Sequence, residues 1–277
     1  MPQGQPIDEQ NLTFPSENPN TEPMSLTKKY VGSEPMRVNK FMGQAGLCSR
    51  REAEALIEKR LVTIDSETIS SPGHKILPGQ TLTLNAQTAA KLENKFTAVI
   101  HKPEGIVSAQ PEEGQIPAAR LLTRANLIGK GTPPKKTASL PALGRLDMDS
   151  RGLLLLSEDG VLAKALIGPQ SKLDKEYIVK VTGQITQGKI DKLCHGLELD
   201  NRKLRPAKVT RLGQRGLRFI LNEGRNRQIR RMCDLVDLRV YDLYRTRIGP
   251  LELASLREGK WRMLSPKERA ALIKAAA

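Results

Sequence analysis

Apolar and polar positions change their spacing several times along this chain, and each change marks an element. From Met36 onward Val38, Phe41, Met42 and Ala45 recur at helical intervals and stop at Gly46, which predicts a helix ended by a glycine. Ser49 then reads as an N-cap, with Glu52 three residues later to complete a capping box. Ala53, Leu56 and Ile57 supply the apolar face of the second helix. Leu61–Ile64 reads as a strand, and Pro78-Gly79 turns the chain into the alternating Thr81-Leu82-Thr83-Leu84. Helix, turn, helix and small sheet define a module over residues 36–84.

The polar run at residues 85–94 reads as a linker to a larger domain, residues 95–277. There the pattern predicts strands at Phe96–His101, Lys175–Thr182, Lys208–Leu212, Leu217–Asn222 and Arg239–Arg247. Helices are predicted at Val161–Ile167, Thr186–Gly196 and Arg227–Val236, with Ser265 capping a last helix that has Pro266 at its first position. Strands and helices alternate without the glycine fingerprint of a doubly wound nucleotide fold, so the fold class is α+β. Gly129, Gly131, Pro133, Pro134, Lys135 and Lys136 make residues 123–140 a mobile basic loop. Residues 1–35 are polar, dotted with proline and net acidic, a composition expected to form a disordered leader.

Charge narrows the function. Lys and Arg number 45 against 30 Asp and Glu, a formal +15 with a pI near 9.9. That surplus favours a polyanion and strongly salt-dependent binding. Aromatic residues are only 3%, which argues against a surface that stacks many bases in succession. Cys48, Cys194 and Cys233 are far apart without a CxxC pair, so neither a structural zinc site nor a disulfide framework is expected. No stretch has the length and apolarity of a membrane span, and no basic-then-apolar secretory leader opens the chain; the cytoplasm is the expected compartment.

Three constellations carry candidate chemistry. Arg37, Lys40, Arg50, Arg51, Lys59 and Arg60 form a cationic edge on the small module, with Arg50 and Arg51 at a helix N-terminus suited to phosphate. The alternative is a solvated face paired with Glu52, Glu54 and Glu58. The run Gly144-Arg145-Leu146-Asp147-Met148-Asp149-Ser150-Arg151-Gly152 precedes four leucines, which sets a carboxylate at the mouth of a buried strand. An Asp beside an Arg is also a common loop ion pair. In Glu223-Gly224-Arg225-Asn226-Arg227-Gln228-Ile229-Arg230-Arg231-Met232 a strand ends and four arginines follow at a helix start, a concentration that calls for phosphates and an internal carboxylate.

The stretches Arg37–Phe41 and Gly46–Ala53 closely resemble the alpha-L RNA-binding domain first described in a small-subunit ribosomal protein. The two larger runs occur in order with Lys102-Pro103-Glu104-Gly105-Ile106-Val107-Ser108 and Lys175-Glu176-Tyr177. Arg245-Thr246-Arg247-Ile248-Gly249-Pro250-Leu251 and Gly259-Lys260-Trp261-Arg262 follow. Together they resemble the RsuA branch of pseudouridine synthases, with the RNA-binding module in front. The resemblance implies a mixed, mainly antiparallel sheet with flanking helices, and no metal or organic cofactor. It implies that Asp147 is the catalytic aspartate, Arg230 the basic residue paired with it, Tyr177 the aromatic residue against the base, and Arg145 the residue that helps extrude the nucleotide. Expected RNA contacts are Arg37, Lys40, Arg50 and Arg51 of the module, with Lys102, Arg225, Arg227 and Arg231 of the larger domain. Within the family, Gln228–Cys233 and Arg245–Ile248 look most like the large-subunit type known as RluF. Large-subunit (23S) ribosomal RNA is thus the expected partner, with small-subunit RNA or transfer RNA as alternatives and a monomer as the expected state. Residues 123–140 are longer than the family usually has there.

Two other classes remain open on the residues alone. A ribosome assembly factor would bind RNA without chemistry, and a nucleoside glycosidase would need a second carboxylate, for which Asp149 or Glu176 are the nearby candidates. The aspartate can attack the sugar at C1′ or the base at C6.

Overall fold

The computed structural model describes residues 25–135, 140–169 and 171–276. Residues 1–24 of the expected leader and 136–139 of the expected loop lie outside the described residues.

The small module forms as its pattern predicts. Helix Val38–Gln44 ends where Gly46 takes a φ of +72°, a left-handed conformation open to glycine, and Leu47 N–H donates to Met42 O at 3.0 Å. Ser49 and Glu52 complete the capping box of helix Arg50–Glu58: Ser49 N–H donates to the Glu52 carboxylate at 2.8 Å, and Glu52 N–H to Ser49 Oγ at 3.3 Å. Val38, Met42, Ala53 and Ile57 bury against Val62, Leu82 and Leu84 of a four-stranded antiparallel sheet.

One edge of that sheet corrects the leader expectation. Leu26–Lys29 is a strand paired antiparallel with Thr81–Leu84. Tyr30 is buried, meets Phe41 edge-on at 5.2 Å between ring centroids, and donates its hydroxyl to Glu34 O at 2.7 Å. Only one face of this edge strand is covered, so its sequence stays largely polar and the composition of the whole segment hides it. A protein starting at Met36 loses the strand and this aromatic anchor. Burying a side chain of that size stabilises by about 2–3 kcal/mol, so the cut is expected to lower the thermal midpoint of the module. A calorimetric melt unchanged from that of the full chain would restore the tail reading.

The linker expectation is corrected as well. Ala86–Glu93 is a helix, capped by Asn85 accepting from Thr88 N–H at 2.8 Å, with Ala89 and Leu92 buried. Alanine, glutamine, lysine, leucine and glutamate favour helix, and the cap supplies its start. Just beyond it Lys95 donates to Glu52 at 2.6 Å from an almost fully buried position. Burial raises the pKa of Glu52, but hydrogen bonds from Lys95 and Ser49 outweigh it and hold the carboxyl below its ordinary value. Helix Arg50–Glu58 thus rests against the larger domain, where Lys164 also reaches Gly43 O at 3.4 Å.

The larger domain is built on an eight-stranded sheet. Its strand order is Lys208–Leu212, Gly216–Leu221, Lys175–Thr182, Arg239–Ile248, Arg151–Ser157, Thr97–Lys102 and Trp261–Met263, with Leu251–Glu252 pairing off the path. All pairs are antiparallel except Arg239–Ile248 with Arg151–Ser157. This is the mixed, mainly antiparallel α+β fold expected from the sequence. The leucine run is continuous because the strand is covered on both faces. Leu153 and Leu155 join a core under helices Gly160–Ile167 and Pro266–Ala276, while Leu154 and Leu156 join the core around Trp261. A third core packs helices Gln187–Cys194 and Gln228–Asp234 on the other half of the sheet.

The expected mobile loop is tied down over its first part. Trp261 Nε1 donates to Thr123 O at 2.9 Å, Lys260 to Ala125 O at 3.1 Å, and Arg124 to Gly131 O at 2.8 Å.

Candidate active site

Asp147 opens a tight turn, closed by Ser150 N–H donating to Asp147 O at 3.1 Å, immediately before strand Arg151–Ser157. Three supports hold this turn. Ser108 Oγ donates to Leu146 O at 2.6 Å and accepts from Leu146 N–H at 2.8 Å, so one buried hydroxyl clamps the residue before the aspartate. Gly105 N–H donates to Met148 O at 2.9 Å on the other side. From beneath, Arg245 is 1% exposed and donates to Leu153 O at 2.7 Å, Gly144 O at 3.2 Å and Arg145 O at 3.4 Å. The carboxylate is thereby fixed by backbone on three sides while its own side chain stays 37% exposed.

The close approach of Arg245 depends on Gly152. Its φ is +115°, and a Cβ there would stand 2.3 Å from Arg245 O and 2.7 Å from Arg245 N. No side chain fits where these two parallel strands meet.

The arginine-rich run faces the turn from helix Gln228–Asp234. Arg227 takes a left-handed φ of 47° just ahead of the helix, a conformation costing about 1–3 kcal/mol for a non-glycine residue and commonly found at functional positions. That conformation aims its guanidinium at both aspartates: 2.9 and 3.2 Å to the Asp149 oxygens and 3.7 Å to Asp147 Oδ2. Arg230 donates to Asp149 O at 2.6 Å, Ser150 Oγ at 3.3 Å and Val240 O at 3.2 Å, and pairs with the Asp149 carboxylate at 3.3 Å. Burial raises the Asp149 pKa, but the Arg227 hydrogen bond and the charges of Arg230 and Arg227 bring it below its ordinary value.

The expected Arg230–Asp147 pair is therefore not what forms. Arg230 binds the turn through Asp149 and its backbone, and the ion pair of Asp147 is with Arg227. Arg230 starts one helical turn farther along, where its two terminal nitrogens donate to Val240 O and Asp149 O.

Tyr177 lies on strand Lys175–Thr182, with Phe219 and Arg245 as its neighbours in register. Its ring packs against the cores on both halves of the sheet. Asp147, Arg145, Lys175, Tyr177, Arg227, Arg230 and Arg245 all line one cleft of about 730 Å³, a volume in the range of small-ligand sites. Arg145 is exposed at this cleft.

Several expected RNA contacts have other roles. Lys102 is fully buried, donates to Pro103 O at 2.8 Å and Ile106 O at 2.7 Å, and cannot reach a phosphate. Burial pushes its pKa down to about 8, against the raising effect of Glu104, Asp147 and Asp149. Arg225 donates to the carbonyls of Leu199, Arg202 and Lys203, and Arg231 forms a two-pronged pair with Asp200 at 2.7 and 3.0 Å. Arg37, Lys40, Arg50 and Arg51 are exposed and enter no ion pair among the described residues.

Sequence reasoning missed Ser108, Lys175 and Arg245, and it weighed Asp149 only as a second carboxylate, not as the partner of Arg227 and Arg230. Alternation gave a signal for Arg245: it shares the inward face with the buried Leu243 two residues earlier. A lysine two positions before Tyr177 falls on the same strand face by the same rule.

Asp147 on its braced turn, Tyr177 two strands away across the sheet, and Arg227 and Arg230 ahead of and on the facing helix thus share one cleft. The family model of RNA pseudouridylate synthases matches residues 95–235, and that of the S4 domain matches residues 36–82. Ribosomal large subunit pseudouridine synthase B of Bacillus subtilis is 32% identical over 239 residues, covering 84% of this chain and 93% of that one. Dual-specificity RNA pseudouridine synthase RluF of Escherichia coli strain K12 is 32% identical over 241 residues, covering 86% and 79%. In fold, the chain is similar to a pseudouridylate synthase crystal structure, with a TM-score of 0.58 at 23% identity, covering 86% of this chain and 99% of that one. The chain belongs to the RNA pseudouridylate synthase family and carries an S4 domain ahead of the catalytic fold.

Proposed function

We propose that this protein converts a specific uridine of large-subunit (23S) ribosomal RNA to pseudouridine, with Asp147 as the nucleophile. The observation that carries this reading is the placement of Asp147: braced by backbone, exposed to the cleft, and facing Tyr177 and Arg227 across it. Isomerisation breaks the C1′–N1 bond, turns the uracil ring and forms a C1′–C5 bond, with the C5 proton lost and its place at N1 taken by another. Asp147 adds either to C1′, where it holds the sugar while the base is free, or to C6 of the base. Both routes use the carboxylate of Asp147, which Arg227 faces at 3.7 Å.

Reaching either atom requires the nucleotide to leave its stack. Arg145, exposed at the rim, is the group we assign to fill the vacated place. Tyr177 packs against the uracil ring and stands where the C5 proton departs. Arg230 acts by fixing the turn through Asp149. Arg37, Lys40, Arg50 and Arg51 supply phosphate contacts from the S4 domain, so residues 25–84 place the RNA and residues 95–276 carry the chemistry.

The large-subunit assignment rests on the two relatives at 32% identity, one of which is named for the large ribosomal subunit and the other for dual specificity. No described helix is long and apolar enough to cross a membrane, and we assign the protein to the cytoplasm as a monomer. Deleting its gene is expected to remove at least one pseudouridine from large-subunit ribosomal RNA when all modified positions are mapped. Transfer RNA is mapped in the same samples. Loss confined to transfer RNA or to the small subunit would overturn the substrate assignment.

A further inference from the structure

Beside the cleft stands a short hairpin that neither the proposed chemistry nor the S4 domain uses. Its strands, Glu198–Leu199 and Arg202–Lys203, are joined by Asp200 and Asn201, both at φ 56°, the left-handed pair of a tight hairpin turn. Two-residue strands are not stable alone, and this hairpin is held from outside. Leu199 is buried in the core of that half of the sheet. The Arg225 guanidinium donates to three of the hairpin's carbonyls, at 2.7 Å to Leu199 O, 3.2 Å to Arg202 O and 2.7 Å to Lys203 O. Arg231 takes the carboxylate at the tip, Asp200.

This arrangement leaves three cations unspent. Arg202, Lys203 and Arg205 are exposed, and their side chains make no hydrogen bond or ion pair among the described residues. A hollow of about 370 Å³ lies between Asp200, Arg202 and Arg225. Arg225 and Arg205 also line the active cleft, which places the hairpin's cations beside it. Neutralising the one tip carboxylate with Arg231 raises the positive potential there and serves no core contact. Fixing exposed cations on a braced backbone removes the ordering cost that a flexible basic tail would carry on binding a polyanion.

We propose that this hairpin grips the phosphate backbone of the substrate RNA next to the target nucleotide, with Arg202 and Lys203 each contacting a phosphate. The proposal rests on the reading of RNA as the substrate and adds to it a second anchoring point, on the catalytic domain itself.

The test compares Arg202→Ala/Lys203→Ala with a control, Lys267→Ala/Lys274→Ala, which removes the same charge from exposed positions on the C-terminal helix. RNA affinity is measured against salt concentration, and pseudouridine formation is followed at limiting and saturating RNA. The hairpin variant is expected to lower the slope of log affinity against log salt by about one to two units. KM should rise on the order of tenfold at near-physiological salt, while turnover at saturation stays within about twofold. The control should move neither quantity. An unchanged slope and KM in the hairpin variant, or an equal change in the control, overturns the proposal. Wild-type protein forming no pseudouridine on any RNA, with the slope still reduced by the hairpin change, would sink the reaction and leave the grip standing.

Discussion

Replacing Arg245 by methionine is expected to cut turnover on the order of a hundredfold and to lower stability by about 2–4 kcal/mol. Arg245 touches no substrate in this account, because its guanidinium lies beneath the turn that carries Asp147. Its donors meet Gly144 O, Arg145 O and Leu153 O, and methionine offers none of them. Two effects oppose each other. Removing a buried cation relieves its desolvation and its repulsion of Lys102 and Lys175, whose pKa values burial and Arg245 both depress. Leaving several carbonyls without partners in the interior costs about 1–3 kcal/mol each. Three orphaned acceptors outweigh one relieved charge, so the net sign is destabilising. The catalytic loss follows from geometry, since misplacing a reacting group by about 1 Å costs about a hundredfold. Single-turnover rates at saturating RNA, measured well below the melting transition, separate the two effects. A folded variant with normal turnover would show that Ser108 and Gly105 hold the turn alone.

The sequence made the chemistry legible more readily than the contacts that support it. The capping box at Ser49, the N-cap at Ser265, the glycine after the first helix and the alternation of Thr81–Leu84 are local devices, readable within a few residues, and all of them form. Strand Arg151–Ser157 was legible as a buried run because both of its faces are covered. Contacts between residues about eighty positions apart were not legible. Arg227 and Arg230 both face the Asp147 turn, but which arginine meets which aspartate depends on the left-handed residue at Arg227 and on one turn of helix. The edge strand at Leu26 was lost in an average over a polar segment, although Tyr30 is the residue there that a core needs. Lys102 illustrates the opposite error: a lysine in a family-like run reads as a phosphate contact until its carbonyl partners, one and four residues away, are seen to enclose it.

Asp147→Asn is expected to abolish pseudouridine formation, a loss on the order of a thousandfold or more, while leaving the fold and RNA affinity intact. The substitution is nearly isosteric and removes the anion that both routes require. Stability should barely change, because the pair with Arg227 at 3.7 Å joins two side chains that are each more than a third exposed, and such pairs contribute about 0–1 kcal/mol. Affinity should hold or improve slightly, since a negative charge leaves a cleft that receives a polyanion. The direct measurement uses large-subunit ribosomal RNA labelled with tritium at C5 of uridine. Forming the C1′–C5 bond expels that hydrogen, so released tritium counts product one for one. The wild-type chain should release label equal to the number of target uridines, and Asp147→Asn should release none above background while binding the RNA within about threefold of wild type. Release by Asp147→Asn at a rate comparable to the wild type would contradict the assignment of Asp147 as the nucleophile.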